Sequence, residues 1–508
     1  MIIQPREYQL NVFKNSIGQN TLIVMPTGLG KTIIAAMFIE KFYGEKKRSL
    51  MVAPTKPLVL QHARTIADST GISENEIGVF TGEIDAEERE LIWVTKKIFV
   101  STPQVVFNDM RSGILDITKF DLIIFDEAHR AVGNYAYVDI AQEYLKYKKK
   151  LIIGLTASPG SSREKIDEIM ANLGISKVIA KTEMDEDVRK YVKTIDVKLI
   201  KIREPDGTKE IVNMIDAVMS KLLEPVKSSN FSIGRSRKDL VATMQKVINS
   251  AKEDRSLFQL VRRITAAIRL DYLKEYIETQ GIDVALHYLE EMEKSQDPGI
   301  RRAISMLSSL DEFATLRTKL MLAADGYTNP KMEKTLSIME SNVHGNARAI
   351  VFTHYRITSD LLMDYIQKNG TSLKPVRFIG QADRGSDEGL SQDQQKKIIE
   401  DFKNNVYNVL IATSIAEEGL DIPDTDFVIF YEAVPSEIRY IQRKGRTGRS
   451  RNGQVYILVF ENSRDMAYYY SSIRKVSRMT QTIEDLRQES GSDEKEEKSD
   501  VQKTIFDF

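Results

Sequence analysis

The sequence predicts an α/β fold: two parallel-sheet domains with an all-α insertion between them and a polar tail. Three observations lead there. Short β-branched apolar runs alternate with longer helical patterns over the first 200 or so residues, the runs vanish between 204 and 330, and they return after about 345. Runs that are apolar throughout, rather than alternating, are what strands covered by helices on both faces look like. The expected strands are 21–25, 50–53, 98–101, 122–125 and 151–154, then 349–352, 376–379, 409–412, 427–431 and 455–460. The middle reads as four or five amphipathic helices, broken near Asp206-Gly207, Asn230, Gly281, Asp297-Pro298-Gly299 and Gly326. The domains expected are therefore 1–203, 204–330 and 331–486, with 487–508 too rich in Glu, Lys and Ser to build a core and expected to be disordered.

A chain of 508 residues exceeds what one hydrophobic core supports, and 42% apolar with 29% charged residues is a globular composition. No apolar run approaches the ~18 residues of a membrane span. The start, Met1-Ile2-Ile3-Gln4-Pro5-Arg6, meets Pro and charge too early for a signal peptide. With no Cys, disulfides and thiolate zinc sites are excluded, which fits a reducing cytoplasm and, weakly, a thermophile. The net charge of −1 does not suit a polyanion ligand, so any nucleic-acid contact must rest on a local basic cluster.

Met25-Pro26-Thr27-Gly28-Leu29-Gly30-Lys31-Thr32 follows an apolar run and opens a helical pattern, the context of a phosphate loop. Its backbone N–H groups would face the phosphates of ATP, Lys31 would reach the β- and γ-phosphates, and the Thr32 hydroxyl would bind Mg²⁺. The strict pattern has Gly where Met25 stands. Asp126-Glu127-Ala128-His129 follows the run 122–125, at a strand end where α/β sheets hold ligands. Asp126 would share the Mg²⁺ and Glu127 would polarise the attacking water. Gln9, in Arg6-Glu7-Tyr8-Gln9, is a candidate adenine reader, with Arg6 or Tyr8 packing the base.

In the second α/β region, Gln442-Arg443-Lys444-Gly445-Arg446-Thr447-Gly448-Arg449 can aim two guanidiniums at one point. Planar, always-charged forks suit a γ-phosphate in its transition state, and Arg446 and Arg449 would act only when the two domains close. In the loop after 409–412, Asp421 is a candidate ribose contact and Gly419 permits a tight approach.

Taken in order, these segments resemble the full motif set of superfamily 2 helicases: Arg6 to Gln9, Pro26 to Thr32, Ala53 to Pro57, Thr81-Gly82, Ser101 to Gln104, Asp126 to His129, Thr156 to Ser158, Val351 to His354, Thr413 to Pro423 and Gln442 to Arg449. The resemblance implies two RecA-like domains, an ATP-hydrolysing motor, and Lys31, Asp126, Glu127, Gln442, Arg446 and Arg449 as its catalytic set. It also implies that His129, Thr156 and Ser158 couple the ATP site to the nucleic-acid track. Pro54, Thr55, Thr102, Thr353 and Thr413 resemble positions that hold the sugar-phosphate chain. The helical insertion and the Asp-Glu-Ala-His box are most similar to the archaeal Hef helicase–nuclease and Fanconi anaemia M translocase family. That family implies forked or branched DNA, a single-stranded track, and 3′→5′ movement in replication-fork repair. Its nuclease signature, Glu-Arg-Lys-x-x-x-Asp, does not occur here, so no DNA cleavage is expected. RNA sensors with a similar insertion carry a Cys-bound zinc domain that this sequence cannot build. An RNA-directed translocase and an ATP-binding scaffold without strand separation are the competing functions.

Between 227 and 263 nine basic residues (Lys227, Arg235, Arg237, Lys238, Lys246, Lys252, Arg255, Arg262, Arg263) face three acidic ones (Asp239, Glu253, Asp254). That bias makes Arg235, Arg237 and Lys238 candidate grips on duplex phosphates in a thumb-like module, against the plainer reading of a helical spacer. Finally Gln502, Ile505 and Phe508 resemble a sliding-clamp docking peptide.

Overall fold

A computed structural model describes residues 1–505 except 148, 149, 235, 253, 371, 382–388, 418–421 and 449–451, with side chains through Glu489. Arg235, Gly419, Asp421, Arg449 and the side chains of the clamp-like peptide 502–508 therefore lie outside the described residues.

The first sheet is built from β1 (Thr21–Val24), β2 (Ser49–Val52), β3 (Ile77–Phe80), β4 (Ile98–Ser101), β5 (Leu122–Phe125), β6 (Leu151–Thr156) and β7 (Lys177–Ala180), in the order β3-β4-β2-β5-β6-β1-β7. The second comprises β8 (Ile195–Ile202), β9 (Ala349–Phe352), β10 (Pro375–Phe378), β11 (Val409–Ala412), β12 (Phe427–Phe430) and β13 (Gly453–Phe460), in the order β10-β11-β9-β12-β13-β8. Every pairing between these strands is parallel. Parallel order places all strand C-termini on one edge of each sheet, where crossover loops emerge and ligands bind. The phosphate loop follows β1, Asp126 follows β5, Thr353 follows β9 and Thr413 follows β11.

All ten expected strands form, and three more were not anticipated: β3, β7 and β8. The last corrects the first domain's boundary at 203. β8 pairs with β13 along its whole length and is the edge of the second sheet. Its Ile-Asp-Val-Lys-Leu-Ile-Lys-Ile sequence mixes charged residues with apolar ones that pack on both sides of the sheet, as an edge strand can, but nothing local to it says which sheet it joins.

Among its described residues the insertion holds six α-helices, more than the four or five expected: Thr208–Ser228, Arg237–Ser250, Phe258–Thr279, Ile282–Lys294, Pro298–Ser308 and Asp311–Ala324. It is not an independent body. Its buried face (Ile211, Ile215, Leu270, Leu273 and others) shares one hydrophobic core with Val351, Ile411, Ile429 and Leu458 of the second sheet. Lys331, fully buried, fastens the joint: its ammonium donates to Thr279 O (2.7 Å), to Tyr431 O (2.9 Å) and to the Asp465 carboxylate.

The last helix, Arg464–Ile505, corrects the other boundary. It leaves the second lobe and lays Met479, Ile483 and Leu486 into the core of the first, where Arg487 meets Asp185 (3.1 Å) and Glu489 meets Arg163 (3.0 Å). Apolar residues at i, i+4 and i+7 make that stripe. The helical backbone continues to Ile505, through the stretch whose composition suggested disorder.

Candidate active site

The phosphate loop turns out of β1 through Gly28 (φ 81°) and Gly30 (φ 74°), left-handed conformations that glycine adopts without strain. Helix Lys31–Gly44 then starts, presenting its N-terminus to the loop's concavity. The Met25 side chain is wholly buried in the first lobe's core and its N–H bonds to Thr156 O (3.0 Å). It extends the strand, which is why no glycine is needed there. Lys31 Nζ donates to Met25 O at 3.1 Å, folding back over the loop.

Asp126 is buried at the end of β5, and Tyr137 braces that end by reaching Asp126 O (2.7 Å) and Val52 O (3.1 Å) with its hydroxyl. Burial pushes the Asp126 carboxyl up, but His62 and Lys31 pull harder and leave it below its ordinary value, as an anion. Glu127 sits in the left-handed region (φ 47°), which costs energy in a non-glycine residue and is typical of strained functional sites. Its Oε2 is buried without a hydrogen bond, 3.2 Å from His129 Nδ1. His129 Nδ1 in turn lies 3.1 Å from Thr156 Oγ1, which accepts the Ser158 N–H at 3.1 Å. The four residues Glu127, His129, Thr156 and Ser158 are thus one connected chain across β5 and β6. A hydroxyl, an anionic carboxylate and an orphaned carboxylate oxygen together fit a hard cation and a polarised water.

Gln9 does not present itself to a base. Its Oε1 accepts from Arg6 N (2.8 Å) and its Nε2 donates to Leu29 O (3.1 Å), beside the Tyr8 hydroxyl on the same carbonyl (2.8 Å). A Cβ on Gly30 would stand 2.5 Å from that amide. Gln9 is therefore a brace for the phosphate loop, while Arg6 stacks on Tyr191 at 4.6 Å. Gln9→Ala is expected to weaken ATP and GTP alike, by about 1–3 kcal/mol or tenfold and more, because the phosphate loop loses one of the two donors on Leu29 O and the Arg6 N–H loses its acceptor. Titrating both nucleotides checks this, and a loss confined to ATP would restore the adenine-reading role.

From the second lobe, helix Glu437–Lys444 delivers a buried arginine cluster. Arg443 is fully enclosed, donating to Glu417 Oε1 (2.8 Å) and Glu432 Oε1 (3.3 Å) between the rings of Phe352 and Phe430. Arg439 forks onto the same Glu417 at 2.8 and 2.9 Å. Burial pushes Glu417 up, yet these two cations outweigh it and hold it low; burial wins at Glu432, pushed up to about 7. Arg446 Nη2 donates to Glu417 O at 2.6 Å, and Gln442 is buried beside it in the chain. The lobes meet here: a Cβ on Gly445 would collide with Thr27 Oγ1 of the phosphate loop. The cavity between them, about 280 Å³, is lined by Thr27 and Gly28 on one side and Lys444 and Thr447 on the other.

Two family models match the chain: the type III restriction enzyme res subunit over residues 2–161 and the helicase conserved C-terminal domain over 330–451. The crystal structure of the Pyrococcus furiosus Hef helicase domain aligns with a TM-score of 0.68 at 39% identity, covering 92% of this chain and 98% of that one. The chain belongs to the Hef and Fanconi anaemia M type of superfamily 2 helicases, a class of ATP-hydrolysing nucleic-acid motors. A Methanocaldococcus jannaschii protein provisionally named an ATP-dependent RNA helicase is 35% identical over 95% of this chain and 61% of its own length. The ATP-dependent DNA helicases mph1 of Neurospora crassa and MPH1 of Pyricularia oryzae are 33% and 32% identical over 91% of this chain. The chain spans 61%, 41% and 44% of these relatives.

In this Hef-type helicase a groove of about 960 Å³ separates helix Lys56–Thr70 of the first lobe from helix Gln392–Lys403 of the second, lined by Thr55, Lys56, Gln61, Arg64, Gln392 and Lys396. Thr55 Oγ1 is buried there without a hydrogen bond, and Pro54 is half-buried next to it. Thr102 and Thr413 close the ends of β4 and β11, their N–H groups bonded to Phe80 O (3.0 Å) and Phe378 O (3.1 Å). Thr353 is fully enclosed, with its hydroxyl on Tyr355 O (3.4 Å), so its side chain supports the turn after β9 instead of reaching a backbone phosphate.

Arg237 is also corrected. Its guanidinium stacks on Tyr272 (3.7 Å), donates to Asp271 (2.7 Å) and pairs with Glu275, so its charge is spent inside the insertion. Lys238 is exposed, as are Lys227, Lys246, Lys252, Arg255 and Arg262. His62, Tyr137, Glu417, Arg439 and Arg443 were missed from sequence; for Glu417, Arg439 and Arg443 the only signal was their place inside or beside recognised motifs.

Proposed function

We propose that this protein is an ATP-driven DNA helicase or translocase acting on forked and branched DNA in replication-fork repair, moving 3′→5′. The observation that carries this reading is the approach of Gly445 to Thr27: the two half-sites face one cleft, so hydrolysis and lobe movement are one event. Lys31 and the loop N–H groups would bind the phosphates, Thr32 and Asp126 would hold Mg²⁺, and Glu127 would orient the attacking water. A bound Mg²⁺ would neutralise charge on the β- and γ-phosphates. Arg446 and Arg449, with Gln442, complete the site from the second lobe, and Arg446 must then exchange Glu417 O for phosphate. The chain Glu127–His129–Thr156–Ser158 transmits cleft state to the groove at Thr55, where one strand is held with Pro54, Thr102 and Thr413. The names of the mph1 and Hef relatives favour DNA; the M. jannaschii name keeps an RNA-directed motor as the second reading. A scaffold that binds ATP without hydrolysis is disfavoured by the presence of the whole catalytic set.

No helix among the described residues is long and apolar enough to cross a membrane. Clamp docking through Gln502, Ile505 and Phe508 remains part of the proposal. Displacement assays on duplexes with a single 3′ or 5′ tail test the motor: ATP-dependent strand release from the 3′-tailed duplex supports it, and release from the 5′-tailed duplex alone reverses the polarity.

The insertion moves with the second lobe, so a grip on duplex phosphates would convert lobe motion into displacement of the fork. Replacing Lys238, Lys246 and Lys252 by Gln is expected to weaken fork binding at every sequence and flatten its salt dependence by up to ~0.9 in log–log slope per lost contact. Single-strand binding should change little. An unchanged fork slope would reduce the insertion to a spacer.

A further inference from the structure

Helix Lys56–Thr70 brings into the ATP site a side chain that the motif pattern does not contain. His62 is 4% exposed; its Nε2 lies 2.7 Å from Asp126 Oδ2 and its Nδ1 3.4 Å from Thr32 Oγ1. An ionised carboxylate only accepts, so Nε2 is the donor to Asp126, and in the neutral ring Nδ1 is then the acceptor that faces the Thr32 hydroxyl. The consequences for the two oxygens are specific. With its hydrogen turned toward the ring, Thr32 Oγ1 has its lone pairs directed elsewhere, and Asp126 is held by Oδ2 while Oδ1 stays available.

Thr32 sits on the helix that follows β1 and Asp126 at the end of β5, two strands separated in the sheet by β6. One imidazole from a third element therefore sets both. The ring cannot swing away, because Val59 and Ile66, one helical turn to either side of His62, are completely buried and fix that face of the helix.

We propose that His62 is a positioning residue for the Mg²⁺ site, orienting the Thr32 hydroxyl and the Asp126 carboxylate as a pair. This rests on the reading of Thr32 and Asp126 as the groups that hold Mg²⁺. Partners one shell out fix ligand orientation, and their loss costs about 10–100-fold in metal affinity or activity.

The test is binding of a fluorescent ADP to the full chain across a Mg²⁺ series and, separately, in EDTA. His62→Leu fills the space without hydrogen bonds; His62→Gln restores a donor and an acceptor on adjacent atoms. The Leu variant should shift the Mg²⁺ midpoint upward by about tenfold or more while leaving Mg²⁺-free nucleotide binding unchanged. The Gln variant should return most of the way to wild type. Should His62→Leu not fold, His62→Ala reads the same midpoint. An unchanged midpoint, equal weakening with and without Mg²⁺, or a Gln variant as poor as Leu would each overturn the proposal. If wild type itself shows no Mg²⁺ dependence, the reading of Thr32 and Asp126 has failed first, and the wild-type titration alone reveals that.

Discussion

Glu127→Gln is expected to lower ATP turnover by about 10²–10⁴-fold while ATP still binds. The amide keeps the shape of the side chain at a position already held in a strained backbone, with φ 47°. What it loses is the carboxylate, whose Oε2 is buried without a hydrogen bond 3.2 Å from His129 Nδ1 and would orient and deprotonate water. Lys31→Ala should also abolish turnover, but through binding, because the phosphates lose their cation. The two variants are separated by nucleotide titration and single-turnover hydrolysis. The Gln variant should remain trapped on nucleic acid in the presence of ATP, whereas the Ala variant should not respond to ATP. Equal loss of ATP affinity in both would contradict the division of roles.

Lys331→Met should destabilise the joint between insertion and second lobe by about 3–5 kcal/mol, the usual result of removing one partner of a buried ion pair. Lys331 is fully buried, and its loss strands Asp465 as well as the carbonyls of Thr279 and Tyr431. Asp465 would keep only the N–H groups of Ala433 (2.8 Å) and Phe460 (3.1 Å), too few to stabilise a buried charge that burial already drives toward protonation. Several kcal/mol is a large share of the ~5–15 that holds a typical domain, so the first transition in urea should move to markedly lower concentration. Adding Asp465→Asn should recover part of the loss by removing the orphaned charge. A single variant as stable as wild type would show that the joint is held by its apolar core alone.

Much of the fold was legible because strands buried on both faces are written as unbroken apolar runs, and the turn breaks of the insertion fall where Gly, Asn and Asp-Pro interrupt helical periodicity. What stayed hidden depends on partners distant in the chain. β8 has a strand's pattern, but its choice of the second sheet is made by β13, some 250 residues later. Charge counting nominated Arg237 for phosphate binding, whereas its partners, Asp271 and Glu275, lie a full helix away. His62 reads as a lone histidine on an apolar helix face, more often a satisfied core residue than a functional one; only the fold brings it to Thr32 and Asp126. The catalytic residues at strand ends were readable for the opposite reason. Phosphate loops and carboxylates after apolar strands owe their function to local backbone geometry, and local geometry is what short motifs encode.

In the proposed motor one cleft couples ATP hydrolysis to movement on DNA. The most direct measurement is steady-state ATPase of the full chain with no nucleic acid and with matched single-stranded DNA, duplex DNA, forked DNA and duplex RNA. Basal turnover should be low, single-stranded DNA should stimulate it, forked DNA should stimulate it most and duplex RNA little. Turnover indifferent to every nucleic acid, or greatest on duplex RNA, would contradict that coupling.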